Sequence, residues 1–236
     1  MKQCVFISAD HGTSIVYFLQ SDLVSNLLEA GVEVVVLTDD ALVERLRQRF
    51  GDGNGRLHLE GLRLAQAQDY ALRVAPRLQW LLGYLRRVGG SRRINTRAMD
   101  SHIWEVWAEN SWKFRLGVWL PAAFLIPLLR NSAAARRLLV KVQQQFLPPG
   151  GIYADLFERY SPDLVIASTP GWRMDRYLLR EAGLRGIPTM TVIVGWDNPS
   201  SYSIPGAAVQ WASCWSKIQK EELVYGPDWP AERAHI

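Results

Sequence analysis

The sequence has few of the features that mark the common classes of site. Its two cysteines, Cys4 and Cys214, both lie in apolar runs, which predicts buried free thiols in a reducing compartment. The four histidines lack ligand spacing, so no metal site is predicted. The patterns G-x-G-x-x-G, G-x-x-x-x-G-K-[ST] and G-x-S-x-G do not occur. This excludes nucleotide binding and serine hydrolysis by those motifs.

Long hydrophobic runs are also lacking. The longest, residues 117–129, contains Pro121 and Pro127 and is too short to span a bilayer. The opening MKQCVFISAD has no apolar core of the signal-peptide type. With 48% hydrophobic and 21% charged residues, the chain is expected to be a cytoplasmic globular protein with a sizeable core.

Charge is distributed unevenly along the chain. Residues 62–147 contain 14 Lys and Arg against four Asp and Glu, whereas the remainder has 13 against 19. The middle segment is therefore expected to face an anionic partner. Nucleic acid is not predicted, because no known motif is present and the tryptophans there have the spacing of a helix core.

Apolar patterns of strands and helices alternate at both ends of the chain, which predicts an α/β, doubly wound parallel sheet. Strands are predicted at residues 2–9, 33–38, 56–62, 163–168, 189–194 and 209–214, and another begins near 231–236. Helices are predicted at residues 15–30, 41–50, 152–160, 169–186 and 216–224. Residues 63–150 break this rhythm and predict a basic helical insertion, with helices at 76–88, 94–114 and 122–146. The whole chain, residues 1–236, is predicted to be one domain.

Two predicted strand-to-helix turns offer candidate functional residues. In the first, His11 is a candidate general base, and Gly12 and Thr13 at a helix N-terminus suit an anion. In the second, Thr169 is predicted to cap a helix that has Pro170 at its first position. Gly171, Trp172 and Arg173 follow, and they suit a phosphate or carboxylate. The alternative interpretation is a histidine that only caps its helix and an arginine that is only solvated.

The loop after the predicted strand 189–194 is the most distinctive stretch. It reads Gly-Trp-Asp-Asn-Pro-Ser-Ser-Tyr, and the candidate residues in it are Trp196, Asp197, Asn198, Ser200 and Tyr202. An indole, a carboxylate and an amide at the carboxyl edge of a parallel sheet suit a sugar or polyol. The alternative is an Asx-turn over a packed tryptophan.

Three stretches together resemble a known family. They are FISADHGTSIVYFL, then the run DLVIASTPGWRMDRYLLREAGLRGIPTMTVIVGWDNPSSY, and ASCWSKIQKEELVYGPDWPAERAHI. They resemble the Rossmann-like N-terminal domain of GT-B glycosyltransferases, in a bacterial branch that includes CDP-glycerol glycerophosphotransferase-like proteins. The resemblance covers residues 1–60 and 152–236 and does not extend to the basic insertion.

The resemblance implies the acceptor-binding half of a transferase. The donor would be a nucleotide-activated sugar, with no further cofactor, and the acceptor a lipid-linked or cell-envelope glycan. A C-terminal donor-binding domain is expected in addition to this chain, which alone would be incomplete. His11 or Asp197 would be the base, and Arg173, Asp197 and Asn198 would line the cleft. A UDP-sugar epimerase of the same fold and a non-catalytic binding module remain alternatives.

The basic insertion has a further interpretation. Helices with basic and aromatic faces lie in the membrane interface, so residues 63–147 are predicted to bind an anionic membrane surface through Arg86, Arg87, Arg92 and Arg93. The alternative is a soluble helical lid with solvated arginines.

Overall fold

The computed structural model describes residues 3–147, 149–195 and 198–236, and only the backbone of residues 113–116, 118–120 and 198. Seven strands are found in these ranges. They are β1 (Cys4–Ala9), β2 (Glu33–Thr38), β3 (Leu57–Gly61), β4 (Leu164–Ala167), β5 (Thr189–Val192), β6 (Trp211–Ser213) and β7 (Ala234–His235).

Twelve α-helices are found in the same ranges. They are α1 (Gly12–Leu19), α2 (Asp22–Glu29), α3 (Val43–Phe50), α4 (Leu64–Arg73), α5 (Pro76–Val88), α6 (Arg97–Glu109), α7 (Trp112–Asn131), α8 (Ala133–Phe146), α9 (Ala154–Tyr160), α10 (Arg176–Leu184), α11 (Asn198–Tyr202) and α12 (Lys217–Tyr225). Short 3₁₀ turns cover Asp40–Leu42 and Ala231–Arg233.

The strands form one parallel sheet in the order β3-β2-β1-β4-β5-β6-β7. The chain winds outward from β1 to β3 and then returns to add β4 on the other side of β1. This confirms the predicted α/β, doubly wound fold of Rossmann-like type. The switch between β1 and β4 opens a crevice at their carboxyl ends, which is where such sheets bind ligands.

Alternate side chains of β1 supply the two faces of the core. Cys4 and Phe6 belong to one cluster, with helices α4, α9 and α10. Val5 and Ile7 belong to the other, with α1, α2 and α3. A strand covered on both faces needs a continuous apolar run, which is why CVFISA was recognisable as a strand. Cys4 and Cys214 are buried and form no disulfide.

Three predicted helices have different bounds in the structure. The single helix predicted at 15–30 is wrong: α1 ends at Leu19, and Ser21 caps a separate α2 by accepting a hydrogen bond from the Leu23 amide. The helices predicted at 94–114 and 122–146 are also wrong in their bounds, since α7 begins at Trp112 and continues through Pro121 and Pro127. The helix predicted at 76–88 is α5.

The helices between β3 and β4 contain buried arginines. Arg86 on α5 is 7% exposed and donates to the carbonyls of Gly171 and Trp172, at 3.0 and 3.4 Å. Arg136 on α8 is buried against Asp228. Arg87 places its guanidinium over the ring of Tyr202. The prediction that Arg86 faces a membrane is therefore wrong, because its charge is used to attach α5 to the sheet domain.

Gly206 allows this attachment. A Cβ at residue 206 would lie 1.8 Å from the Gly171 carbonyl oxygen and 2.1 Å from Arg86 Nη1. We expect Gly206→Ala to lower the free energy of unfolding by about 2 kcal/mol or more, because backbone has to move to relieve the overlap. Urea denaturation measures this.

Gly83→Ala is the matched control. Gly83 lies within α5, and a Cβ there meets no described atom within 4 Å. The same substitution is expected to stabilise by up to about 1 kcal/mol through helix propensity. Equal effects of the two substitutions would show that the close approach at Gly206 contributes nothing to the free energy of unfolding.

Candidate functional site

A small open cavity of about 140 Å³ lies at the carboxyl edge of the sheet. Its walls come from the segments that follow β1, β4 and β5, beside the switch point. The described residues that line it are His11, Thr13, Thr169, Trp172, Arg173, Val194, Gly195 and Tyr202. The sequence therefore brings three separate polar loops to one place, because parallel strands end at the same edge.

Asp10 and His11 form a carboxylate–imidazole pair directly after β1. His11 Nδ1 lies 2.5 Å from Asp10 Oδ1, and the Asp10 side chain is only 2% exposed. Because an ionised carboxylate can only accept, Nδ1 carries the proton and donates it. The imidazole is therefore oriented at Nδ1, and Nε2 of the neutral ring is left as an acceptor. His11 is 25% exposed and lines the cavity.

Asp10 is held by two further groups. Ser168, just past β4, donates to Oδ1 at 2.8 Å, and Nε of Arg173 lies 2.8 Å from Oδ2. Burial alone would raise the pKa of Asp10. The hydrogen bonds from His11 and Ser168, with the charge of Arg173, nevertheless hold that pKa below its ordinary value. Asp10 is therefore a carboxylate at neutral pH.

The loop of residues 169–175 is held by a second buried carboxylate. Thr169 Oγ1 donates to Asp175 Oδ2 at 2.6 Å and accepts from the Trp172 amide at 3.1 Å. The Arg173 amide donates to Asp175 Oδ1. The predicted helix start at Thr169 and Pro170 is wrong: α10 begins at Arg176, because Asp175 draws these groups into a turn.

Asp175 is completely buried beside Asp10. Burial first, and then the negative charge of Asp10, raise the pKa of Asp175 to about 7. The two carboxylates of this site therefore differ in protonation, since Asp10 is ionised where Asp175 still holds its proton.

Arg173 gives the cavity a positive charge. Its side chain is 50% exposed, and one nitrogen is used on Asp10. Its remaining N–H groups have no partner among the described residues. With the N-terminus of α1 beside Thr13, they favour an anionic or strongly polar ligand group.

Two aromatic rings form one wall. Trp172 stacks on Tyr202 at a centroid distance of 5.8 Å and an interplanar angle of 22°. The indole N–H donates to the Ser203 carbonyl, and Trp172 is only 6% exposed. Tyr202 is therefore the more accessible ring.

The predicted site residues separate into three groups. His11, Thr13, Trp172, Arg173 and Tyr202 line the cavity together. Gly12, Gly171 and Ser200 do not line it among the described residues. Gly12 begins α1, and Gly171 has a φ of +78° and a carbonyl that binds Arg86. Trp196, Asp197 and the side chain of Asn198 lie outside the described residues.

Sequence reasoning placed Thr169 at the site as a helix cap but missed Asp10, Ser168 and Asp175. Asp10 had a usable signal, since an acidic residue between a buried strand and a histidine is well placed to orient that histidine. Ser168 and Asp175 had none, because Ser168 contacts Asp10 from 158 positions away and the burial of Asp175 depends on tertiary packing.

Neither a metal cluster nor a known relative identifies the site. No group of three or more His, Cys, Asp or Glu side chains suited to a metal is found in the described ranges. No protein-family model matches the chain. A comparison with curated protein sequences also finds no match.

The raised pKa of Asp175 predicts a pH dependence of stability. The unfolded chain ionises Asp175 near the ordinary value of 3.8, whereas the folded protein keeps the proton to about 7. The free energy of unfolding attributable to Asp175 therefore falls as pH rises between these values. We expect the stability of the parent relative to Asp175→Asn to fall by about 2–4 kcal/mol from pH 4.5 to 8.

Urea unfolding at the two pH values measures this difference, with Asp155→Asn as the control. Asp155 is largely exposed and paired with Arg63, which lowers its pKa. Its contribution is therefore already complete at pH 4.5 and should not fall. Parallel stability curves for the parent and Asp175→Asn would contradict a protonated Asp175.

Proposed function

We propose that this chain is the acceptor-binding half of a glycosyltransferase that uses a nucleotide-activated sugar. His11 Nε2 takes the proton of an acceptor hydroxyl as its oxygen attacks the anomeric carbon of the donor. The bond from that carbon to the diphosphate breaks, and the nucleoside diphosphate leaves with the electron pair. Asp10 is the positioning residue that fixes His11 at Nδ1. Asp197 stays an alternative base.

The single observation that carries the proposal is the pairing of the buried Asp10 with His11, whose imidazole lines the cavity. A buried carboxylate at 2.5 Å from Nδ1 fixes one tautomer and stabilises the imidazolium that forms when Nε2 takes a proton. His11 also forms a capping box with Ser14, whose Oγ accepts from the His11 amide at 3.1 Å. A histidine that served only in this cap would need no buried carboxylate as a partner.

The dimensions of the cavity favour a reaction at its mouth. At about 140 Å³ it is smaller than the roughly 300–1,000 Å³ of pockets that enclose a complete ligand. It suits one polar portion of an acceptor, with an anionic group near Arg173. This agrees with the resemblance to a half of a two-domain enzyme.

We expect His11→Ala to lower the turnover rate of sugar transfer by about 10²- to 10⁴-fold, because the general base is removed. Asp10→Asn should lower it by about 10²-fold or more, since an amide no longer fixes the tautomer. The assay uses the longest natural chain that contains these residues and separates kcat from KM.

His58→Ala is the matched control. His58 also pairs with a carboxylate, with Nε2 at 2.8 Å from Glu33 Oε1, but it lies on β3 and does not line the cavity. Its loss should leave turnover within about twofold. Near-normal turnover in a folded His11→Ala variant would reject the catalytic role. Acceptor binding without any transfer by the parent would favour the binding module.

We further propose that the protein acts at the cytoplasmic face of an anionic membrane. Large apolar side chains on α6 and α7 are exposed: Trp104 at 72%, Trp112 at 65% and Phe124 at 71%. Exposed Arg92 and Arg97 accompany them. None of the described helices is long and apolar enough to cross a membrane. These features support attachment in the interface.

Vesicle co-sedimentation tests this attachment. The parent should bind anionic vesicles in low salt, and the double variant Trp104→Ser/Phe124→Ser should lose most of that binding because both rings contribute buried apolar area. Ile218→Ser is the control, since this equally exposed residue lies on α12. Equal binding to neutral vesicles, or an equal loss with Ile218→Ser, would contradict the proposal.

A further inference from the structure

A second, larger opening is lined by helices that lie between β3 and β4. This groove, of about 880 Å³, is bordered by residues of α4, α5 and α7 and by the first residue of α10. Leu72, Trp80, Leu81 and Pro121 make it mostly apolar, and Arg77 and Arg176 are its charged residues among those described. No Asp or Glu is among the described residues that line it.

The charge of Arg176 in this groove is not neutralised by its hydrogen-bond partners. Arg176 donates to the Arg173 carbonyl at 2.8 Å and to the Tyr177 hydroxyl at 3.2 Å, which are uncharged acceptors. Behind it, Arg86 and Arg180 are buried and donate to backbone carbonyls and to Gln143.

The pKa values of the buried arginines report the same excess of positive charge. Burial, and then the charges of Arg176 and Arg180, lower the pKa of Arg86 to about 9. Burial and the charge of Arg176 lower the pKa of Arg180 to about 10. The nearby acid, Asp175, keeps its proton to about 7. An anion beside Arg176 would therefore relieve a repulsion among three guanidinium groups.

We propose that this groove binds one lipid phosphate, with its hydrocarbon chain along Leu72, Trp80 and Pro121 and its phosphate against Arg176 and Arg77. An apolar groove lined by two arginines and by no described acid matches a ligand that has a long chain and one anionic head. A second copy of the chain is less suited to it, because that copy carries a net charge of +4.

The inference rests on the proposed function for the role of this lipid, which would be the carrier of the acceptor. The Arg173 carbonyl binds Arg176, while the Arg173 side chain lines the His11 cavity. A phosphate at Arg176 therefore lies one loop away from the cavity, and the attached acceptor would extend toward His11.

Isothermal titration of the 236-residue chain with monomeric dodecyl phosphate tests the proposal. Saturable binding of one molecule per chain is expected, and dodecyltrimethylammonium and inorganic phosphate should each bind at least tenfold more weakly. Arg176→Gln should weaken binding about tenfold and Arg77→Gln several-fold. Arg137→Gln, an exposed arginine of α8 outside the groove, should have no effect.

Gly117→Leu tests the apolar part independently of charge. Gly117 lines the groove, and a Cβ there meets no described atom within 4 Å. A leucine at 117 should narrow the groove and weaken binding about tenfold, whereas Gly83→Leu on α5, outside the groove, should preserve it.

Three results would overturn the inference: no binding of dodecyl phosphate, equal binding of the ammonium amphiphile, or normal binding by Gly117→Leu. A dimer of the parent that Gly117→Leu dissociates would also overturn it and identify the groove as a contact between copies. Titration requires no transfer, so lipid binding by the 236-residue chain, together with no sugar transfer by the longest natural chain, would reject the proposed function alone.

Discussion

The buried carboxylate of Asp10 is the interaction on which the candidate site depends. One side chain joins His11 from its own turn, Ser168 from the end of β4 and Arg173 from the following loop. A buried charge with fewer partners would be strongly destabilising. The requirement for partners therefore fixes the positions of the imidazole and the guanidinium relative to the sheet.

Asp175 is a second buried aspartate of the site, but its pKa is raised where that of Asp10 is lowered. It is buried as completely, but its partners are a hydroxyl and a backbone amide rather than a cation in direct contact. Two adjacent carboxylates whose surroundings separate their pKa values are a common arrangement at reacting sites. Here Asp10 supplies the charge, and Asp175 supplies the shape of the loop.

The strands of the sheet were predicted from the sequence because a strand that is buried on both faces is a continuous run of apolar residues. The runs EVVVLT and LVIA needed no information from elsewhere in the chain. Helix α5 was predicted for a similar reason, since Pro76 and Gly89 mark its ends locally. His11, Thr13, Trp172, Arg173 and Tyr202 were found because polar residues after parallel strands meet at one edge.

What the sequence could not reveal depends on which side chains the tertiary structure buries. Thr169 followed by Pro170 has the local signature of a helix start, yet the buried Asp175 six residues on outweighs it. Arg86 resembled a surface residue of a basic helix, and only the carbonyl of Gly171, 85 positions away, explains its burial. The basic composition of residues 62–147 predicted that Arg86 faces a membrane, whereas its guanidinium binds backbone carbonyls in the interior.

The bond from Arg86 to Gly171 also has a thermodynamic consequence. The loop that carries Arg173 is bonded through the Gly171 carbonyl to Arg86 of α5, and Arg173 in turn pairs with Asp10 at the His11 cavity. The cavity and the helices between β3 and β4 therefore share this loop. Any ligand of the helices that shifts α5 therefore changes the affinity of the cavity. Linkage requires the effect to be reciprocal, so occupation of the cavity must change the affinity of the helices by the same factor.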